Sequence, residues 1–107
     1  MSTSASGADL GQAVRRLRRA QRLTIEDIAF AADVHPTYLS SIERGERNPS
    51  WKTLCGLAEA LGVSLPALVE KAEEEAVVAR ITKAARERLR TRAGARYANQ
   101  RTPATPP

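Results

Sequence analysis

From residue 9 to residue 72, apolar side chains recur at intervals of three and four. That spacing lines up one face of an α-helix, and no segment alternates as a strand would. Punctuating residues cut the pattern into five helices. Asp9, with Gln12 three positions on, predicts a capping box opening helix 1, whose Leu10, Val14 and Leu17 form an apolar stripe. Thr24, with Asp27 three residues later, caps a second helix that ends near Ala32, and Asp33 and Val34 make the turn. His35-Pro36 starts helix 3, with Pro36 in the first turn, where its missing N–H costs little, and Gly45 stops it. Ser50 caps helix 4, with Trp51, Leu54, Cys55, Ala58 and Leu61 on one side and Gly62 at its end. Trp51 fits core and rim equally. Ser64 and Pro66 open helix 5, with Leu65, Leu68, Val69 and Ala72 inward.

Past this point the stripe changes sides. Leu65, Leu68, Val69, Ala72 and Ala76 centre on one side of a helix, whereas Val77, Val78, Ile81, Ala84, Ala85 and Leu89 centre about half a turn away. Either the helix breaks near residues 73–75, or one long helix packs first on its own domain and then on something else. The expected fold class is all-α, a compact five-helix domain with a C-terminal helical extension. Its predicted organisation is a disordered N-terminal tail (residues 1–8), a helical domain (9–72), a basic amphipathic helical extension (73–92) and a disordered C-terminal tail (93–107).

The most informative segment is residues 24–44, TIEDIAFAADVHPTYLSSIER. Two short helices joined by a tight turn would cross closely at the small Ala29, with Ile28, Ala32, Val34, Leu39 and Ile42 supplying the contact. Thr37, Ser40, Ser41 and Arg44 then fall on the exposed side of the second helix. A polar helix held out from a rigid base is what a protein reading the DNA major groove needs.

Charge changes this picture. The net charge of +5 is made of +4 over residues 1–23, −6 over residues 24–75 and +7 over residues 76–107. A polyanionic partner suits the total, yet the reading motif itself lies in the acidic stretch. Arg15, Arg16, Arg18, Arg19 and Arg22 on helix 1 and the basic tail flank it. For the tail two readings stand: a solvated face, or nonspecific attraction of phosphates by Arg80, Lys83, Arg86, Arg88, Arg90 and Arg92. If the tail touches about three phosphates, removing residues 76–107 should flatten the slope of log K against log salt by roughly 2 to 3 units, at about 0.9 per phosphate.

The remaining chemistry is sparse. No apolar run reaches the roughly 20 residues of a membrane span, and the N-terminus has no signal-peptide core, so a soluble cytoplasmic, nucleoid-associated protein is expected. The single Cys55 reads as a small core residue, and the lone His35 as a helix-start residue, since no second His or Cys pair completes a metal site. Glu43 has no second acid or base at useful spacing, and there is no Gly-rich phosphate loop or nucleophile-base pairing. No catalytic residues, metal or cofactor are expected.

Together with ERGERNPSWKTLCGLAEALGV, the segment resembles the phage repressor/Cro-type helix-turn-helix family, the XRE-like regulators with a lambda-repressor-like fold. A Glu-Arg-Gly tripeptide, a loop with Pro-Ser and an apolar helix ending in Leu-Gly-Val recur there in this order, and the resemblance covers about residues 10 to 70. One departure is Asp33, at a turn position where the family often has Gly; Asp tolerates the left-handed conformation better than most residues. The resemblance implies roles residue by residue. Helix 3, from Pro36 to Arg44, matches the recognition helix, with Thr37 and Ser41 at base edges and Pro36, Tyr38 and Ser40 flanking. Thr24 and Ile25 match a phosphate-clamping helix N-terminus. Arg47 and Asn48 match backbone-contacting positions, and Arg44 is assigned to phosphate with them. Arg18 and Glu43 match a pair that bridges helices 1 and 3.

The function expected is a DNA-binding transcriptional regulator, a repressor acting as a homodimer on double-stranded DNA. The face containing Val77, Val78, Ile81, Ala85 and Leu89 is the candidate dimer or partner surface. A protein-interaction module on the same fold, an antitoxin or an adaptor docking through the extension, is the alternative. Lacking Gln, Asn and a forward-pointing Arg, the recognition helix should discriminate bases only modestly by direct contact, supplemented by DNA shape.

Overall fold

The structure, a computed structural model, describes the backbone of residues 5–104 and the surroundings of side chains over residues 5–92. The described residues form five helices and no strands: α1 (Gly7–Ala20), α2 (Ile25–Ala32), α3 (Pro36–Glu43), α4 (Trp51–Leu61) and α5 (Leu65–Ala104). The chain divides into two units, Met1–Val77 and Val78–Pro107. The first holds the packed domain, and the second the remainder of α5.

Local chemistry explains most boundaries. Thr24 and Asp27 form a reciprocal capping box: the Thr24 N–H donates to Asp27 Oδ2 at 2.8 Å, and the Asp27 N–H donates to Thr24 Oγ1 at 3.0 Å. Ser50 caps α4 by accepting from the Thr53 N–H at 3.2 Å, and Ser64 caps α5 by accepting from the Ala67 N–H at 3.1 Å. The first helix differs from the sequence reading. Its capping box is Ser6 with Asp9, one turn earlier than Asp9 with Gln12. The same Ser/Asp spacing that predicts a box at Thr24 is present in Ser6-Gly7-Ala8-Asp9, so residues 5–8 are ordered into the helix start rather than a tail. Residues 1–4 lie outside the described residues.

The four helices of the domain that precede α5 end in one way. A left-handed residue follows each, and the two N–H groups at the turn bond back to the last carbonyls. Those residues are Arg22 (φ 59°), Asp33 (φ 57°), Gly45 (φ 76°) and Gly62 (φ 74°). At α3, for example, the Gly45 N–H bonds to the Ile42 carbonyl at 3.0 Å and the Glu46 N–H to the Ser41 carbonyl at 2.9 Å. Gly is the usual choice because it has no Cβ to strain, and a side chain there costs about 1–2 kcal/mol. Gly itself loses roughly 0.5–1 kcal/mol to chain entropy. Asp33→Gly is therefore expected to leave stability unchanged or to raise it by up to about 1 kcal/mol, while Asp33→Val lowers it by about 1–2 kcal/mol. The urea midpoints of the two variants check this.

The core of the domain is built from Val14, Ile28, Leu39, Ile42, Leu57, Leu61 and Leu68, all fully buried, with Ala13, Ala29, Ala58 and Ala72 where helices approach. Leu10, Leu17, Val34 and Leu54 pack around it. Two expectations, Val69 inward and Cys55 in the core, are corrected at the rim, and Trp51, which fits core and rim equally, lies at the rim. Val69 is 42% exposed and Trp51 70% exposed, and Cys55 is half-buried. Each lies at the edge of an apolar stripe, where periodicity cannot say how wide the covering helix is.

The helix near residues 73–75 does not break. α5 runs unbroken from Leu65 to Ala104. Leu68, Ala72 and Ala76 are buried, and Arg16 of α1 pairs with Glu75, so packing reaches one turn beyond the expected domain end at residue 72. The backbone is helical through residues 93–104, where the composition predicts a disordered tail; residues 105–107 lie outside the described residues. Ala and Arg, which make up half of this stretch, are among the strongest helix formers, although Gly94 and Pro103 are the weakest. No single helix among the described residues is long and apolar enough to cross a membrane.

Candidate nucleic-acid interface

The N-termini of α2 and α3 open onto one cleft of about 450 Å³, lined by Arg18, Leu23, Thr24, Ile25, Glu26, Pro36, Thr37 and Ser40. Two helix starts converge there, with backbone N–H groups of their first turns free of intrahelical partners. Thr24 and Thr37 are exposed, while Ile25, Pro36 and Ser40 are half-buried. The Thr24 backbone N–H, by its hydrogen bond, holds the Asp27 carboxyl below the usual carboxylate range. His35 closes the N-terminus of α3 by accepting the Thr37 N–H on Nδ1 at 3.0 Å. The ring thereby occupies one of the donors that would otherwise point outward.

Beneath the cleft lies the pair that sets the pitch of α3. The Arg18 Nε donates to Glu43 Oε2 at 2.8 Å and its Nη2 to Glu43 Oε1 at 2.9 Å, a two-pronged bond between buried side chains. A third donor, Nη1, reaches the Leu23 carbonyl at 2.8 Å, in the link between α1 and α2. Hydrogen bonding to Glu43 holds the Arg18 guanidinium above its ordinary pKa, against the opposing effect of burial. One side chain thus ties α1, the α1–α2 link and α3 together.

The structure separates the expected contact residues into groups. Thr37, Ser40, Pro36, Thr24 and Ile25 share the cleft. Tyr38 is half-buried and packs against the core, away from that cleft. Ser41 does not lie on the exposed side of α3, where the spacing puts it: it is only 7% exposed, and its hydroxyl donates to the Tyr38 carbonyl at 2.6 Å. The exposed face of α3 is narrower than a free helix would offer, because α1 and α2 both pack on it and the Gly45 turn returns Glu46 onto the Ser41 carbonyl. Arg44 is exposed and paired with Glu46, Nε to Oε2 at 2.9 Å, so its charge is partly answered within the loop. Arg47 and Asn48 are exposed. The Asn48 amide lies so close to α1 that a Cβ on Gly7 would sit 2.3 Å from its oxygen.

Sequence reasoning missed Gly11. It is buried in α1, and a Cβ there would lie 2.2 Å from the Ile42 carbonyl oxygen and 2.7 Å from that of Glu43. The C-terminal end of α3 rests directly on this bare backbone. The signal was present, since a glycine inside a helix costs about 1 kcal/mol relative to alanine and so marks a close approach.

A helix-turn-helix family profile matches residues 14–68, just over half of the chain. The chain belongs to the XRE-type helix-turn-helix family. An HTH-type transcriptional regulator of Sinorhizobium fredii is 46% identical over 65 residues, 61% of this chain and 84% of its own length. The control protein C.SmaI of Serratia marcescens is 40% identical over 62 residues, 58% of this chain and 74% of its own. Among solved structures, the clp gene regulator ClgR of Corynebacterium glutamicum superposes with a TM-score of 0.70 at 30% identity, covering 84% of this chain and 92% of ClgR. The restriction-modification controller C.Esp1396I, solved as a tetramer on its natural 35 base-pair operator, superposes with a TM-score of 0.62 at 28% identity, over 66% of this chain and 93% of that one. This member of the family is a DNA-binding transcriptional regulator. Regulators of this kind are in general not enzymes, and none of these relatives supports the reading as a protein-interaction module.

Proposed function

We propose that the chain represses transcription as a homodimer, placing α3 in the major groove of a near-palindromic operator. The observation that carries this reading is the shared cleft at the starts of α2 and α3. It sets the outward side chains of α3 beside a helix N-terminus suited to a phosphate, the pairing of base contact and backbone anchor that groove readers use. Thr37 and Ser40 meet base edges, Pro36 flanks them, and Thr24 and Ile25 hold the adjacent phosphate. Arg47, Asn48 and Arg44 contact the backbone farther along. Ser41 takes no part, its hydroxyl being used inside the helix. The protein works wherever its DNA lies, which for a bacterial regulator is the cytoplasm.

Specificity follows from what α3 lacks. Thr and Ser make single hydrogen bonds with either donor or acceptor edges, whereas guanine and adenine are fixed best by two-pronged Arg, Asn or Gln contacts. Sequence preference then comes largely from groove shape, and selection of binding sites should return no half-site with several strictly required G·C pairs. The affinity test is a mobility shift on the DNA upstream of its own gene, titrated with salt. Thr37→Glu and Ser40→Glu each place a negative charge against phosphate and are expected to lower affinity at least 100-fold, while Ser41→Ala changes it less than about threefold. Equal losses at all three positions would sink this assignment of the surface.

A further inference from the structure

One side chain at the start of α3 keeps chemistry in hand after its structural task. His35 is the N-cap of that helix, and its Nδ1 accepts the Thr37 N–H at 3.0 Å. A ring nitrogen that accepts a hydrogen bond carries no proton, so the single N–H of this imidazole is on Nε2. With Nδ1 held against the turn, Nε2 lies on the opposite side of the ring. His35 is exposed, and its Nε2 has no hydrogen-bond partner among the described residues. The ring stands at the rim of the cleft, since Pro36, which follows it, and Thr37, which it caps, both line that cleft. Capping alone does not call for this residue. Ser6, Thr24, Ser50 and Ser64 cap the other four described helices, each with one hydroxyl oxygen. Those are the usual cap residues, and histidine is not among them. A hydroxyl ends at the backbone it caps, whereas an imidazole carries a second polar atom beyond it.

We infer that His35 reads a base: its Nε2–H donates to an acceptor on a base edge in the major groove, just ahead of the contacts made by Thr37 and Ser40. The N-terminal residues of a recognition helix are the ones that meet base edges. In the major groove guanine presents N7 and O6, adenine N7 and thymine O4, whereas cytosine presents only its N4 amino donor. A ring with one fixed donor and no free acceptor therefore suits three bases and opposes the fourth. Thr37 and Ser40 lack this polarity, because a hydroxyl rotates to donate or to accept. His35 accordingly supplies a directional contact on an otherwise permissive surface. Each half-site should hold one position where cytosine is disfavoured on the strand the ring faces. The effect is that of one hydrogen bond made or lost, about three- to tenfold per half-site.

This inference rests on the reading of α3 as the groove helix, and its test separates the two. Binding sites are selected from a randomised duplex pool with the full-length parent, with His35→Ser, which keeps a capping oxygen without the ring, and with His35→Ala, which lacks both. The urea midpoint of His35→Ser should be no lower than the parent's, and that of His35→Ala lower. Sites selected by the parent should hold one position per half-site that is poor in cytosine on one strand. In sites selected by either variant that position alone should become indifferent, with the preferences elsewhere unchanged. Mobility shifts then compare the selected duplex with one carrying cytosine at that position. The two should differ about three- to tenfold per half-site for the parent and less than about twofold for His35→Ser. An affinity loss in His35→Ser that is equal on both duplexes would assign the Nε2–H to a phosphate oxygen and overturn the base contact. Identical selections by parent and His35→Ser would leave His35 a cap only, which also overturns it. A parent that bound no duplex even at low salt would overturn the groove reading of α3 together with this one.

Discussion

Glu43→Ala is expected to remove about 3–5 kcal/mol of stability, the range found when one partner of a buried ion pair is deleted. The domain is small, and total stabilities of about 5–15 kcal/mol are usual, so this variant should be largely unfolded at physiological temperature. The loss comes less from the missing attraction than from what remains. Arg18 keeps its charge at any accessible pH, it is only 8% exposed, and two of its three hydrogen bonds end on Glu43. Left alone, the guanidinium must either stay buried without its acceptors or drag the end of α1 open to reach water. Arg18→Met combined with Glu43→Leu removes both charges and keeps the volume, and should recover most of the loss. The recovery has a limit, because Arg18 also holds the Leu23 carbonyl, which the double variant leaves without that donor. Urea unfolding of the single and double variants measures both effects. A Glu43→Ala protein as stable as the parent would show that α3 is held by apolar packing alone.

Gly11→Ala is expected to destabilise as well, by less, though it adds only one methyl group. That methyl would sit 2.2 Å from the Ile42 carbonyl oxygen and 2.7 Å from that of Glu43, and both are backbone atoms that cannot swing aside as a flexible side chain could. Either α1 or α3 must shift, at a cost of roughly 1–3 kcal/mol or more for overpacking, of which about 1 kcal/mol is offset by alanine's better helix propensity. The shift also moves the recognition helix relative to α2. DNA affinity should therefore fall by more than the unfolded fraction explains, measured at a temperature where the variant is still folded. Gly56 supplies the contrast. A Cβ there meets its nearest neighbour, the Ala32 carbonyl oxygen, at 3.4 Å, an ordinary contact. Gly56→Ala should stabilise α4 by up to about 1 kcal/mol, through propensity alone. If both alanines behaved alike, the close approach of α1 to α3 would not be what holds α3 in place.

Much of the domain was legible in the residues. Thr24 with Asp27, Ser50, Ser64, Gly45 and Gly62 fixed helix ends, because a cap or a left-handed turn involves residues only three or four positions apart. The three- and four-residue spacing of Val14, Ile28, Leu39, Ile42, Leu61 and Leu68 identified core positions for the same reason. The misses share a different cause. Ser6 and Asp9 repeat a capping pattern already recognised at Thr24, but a polar N-terminal stretch masked it. Arg22 takes up the left-handed turn without the glycine that would announce it. Spacing alone puts Ser41 on the outer face, because a lone helix shows about half its circumference, whereas α1, α2 and the Gly45 turn leave α3 a narrower strip.

The candidate surface followed the same division. The pairing of Thr24 with the start of α3 depends on two helices meeting, and the sequence located it only through its resemblance to a family. By itself the sequence determined the starts of the five helices within a turn, the ends of α2, α3 and α4, the apolar stripes, and the segregation of charge into a basic, an acidic and a basic block. Those are properties of near neighbours and of composition, and they hold whatever the helices pack against. Tertiary structure alone decided that Gly11 seats α3, that Ser41 is spent inside the helix while Thr37 and Ser40 stay open, and that α5 passes residues 73–75 without a break. Each of these depends on how closely two segments distant in the chain approach, and periodicity along one segment does not contain that distance.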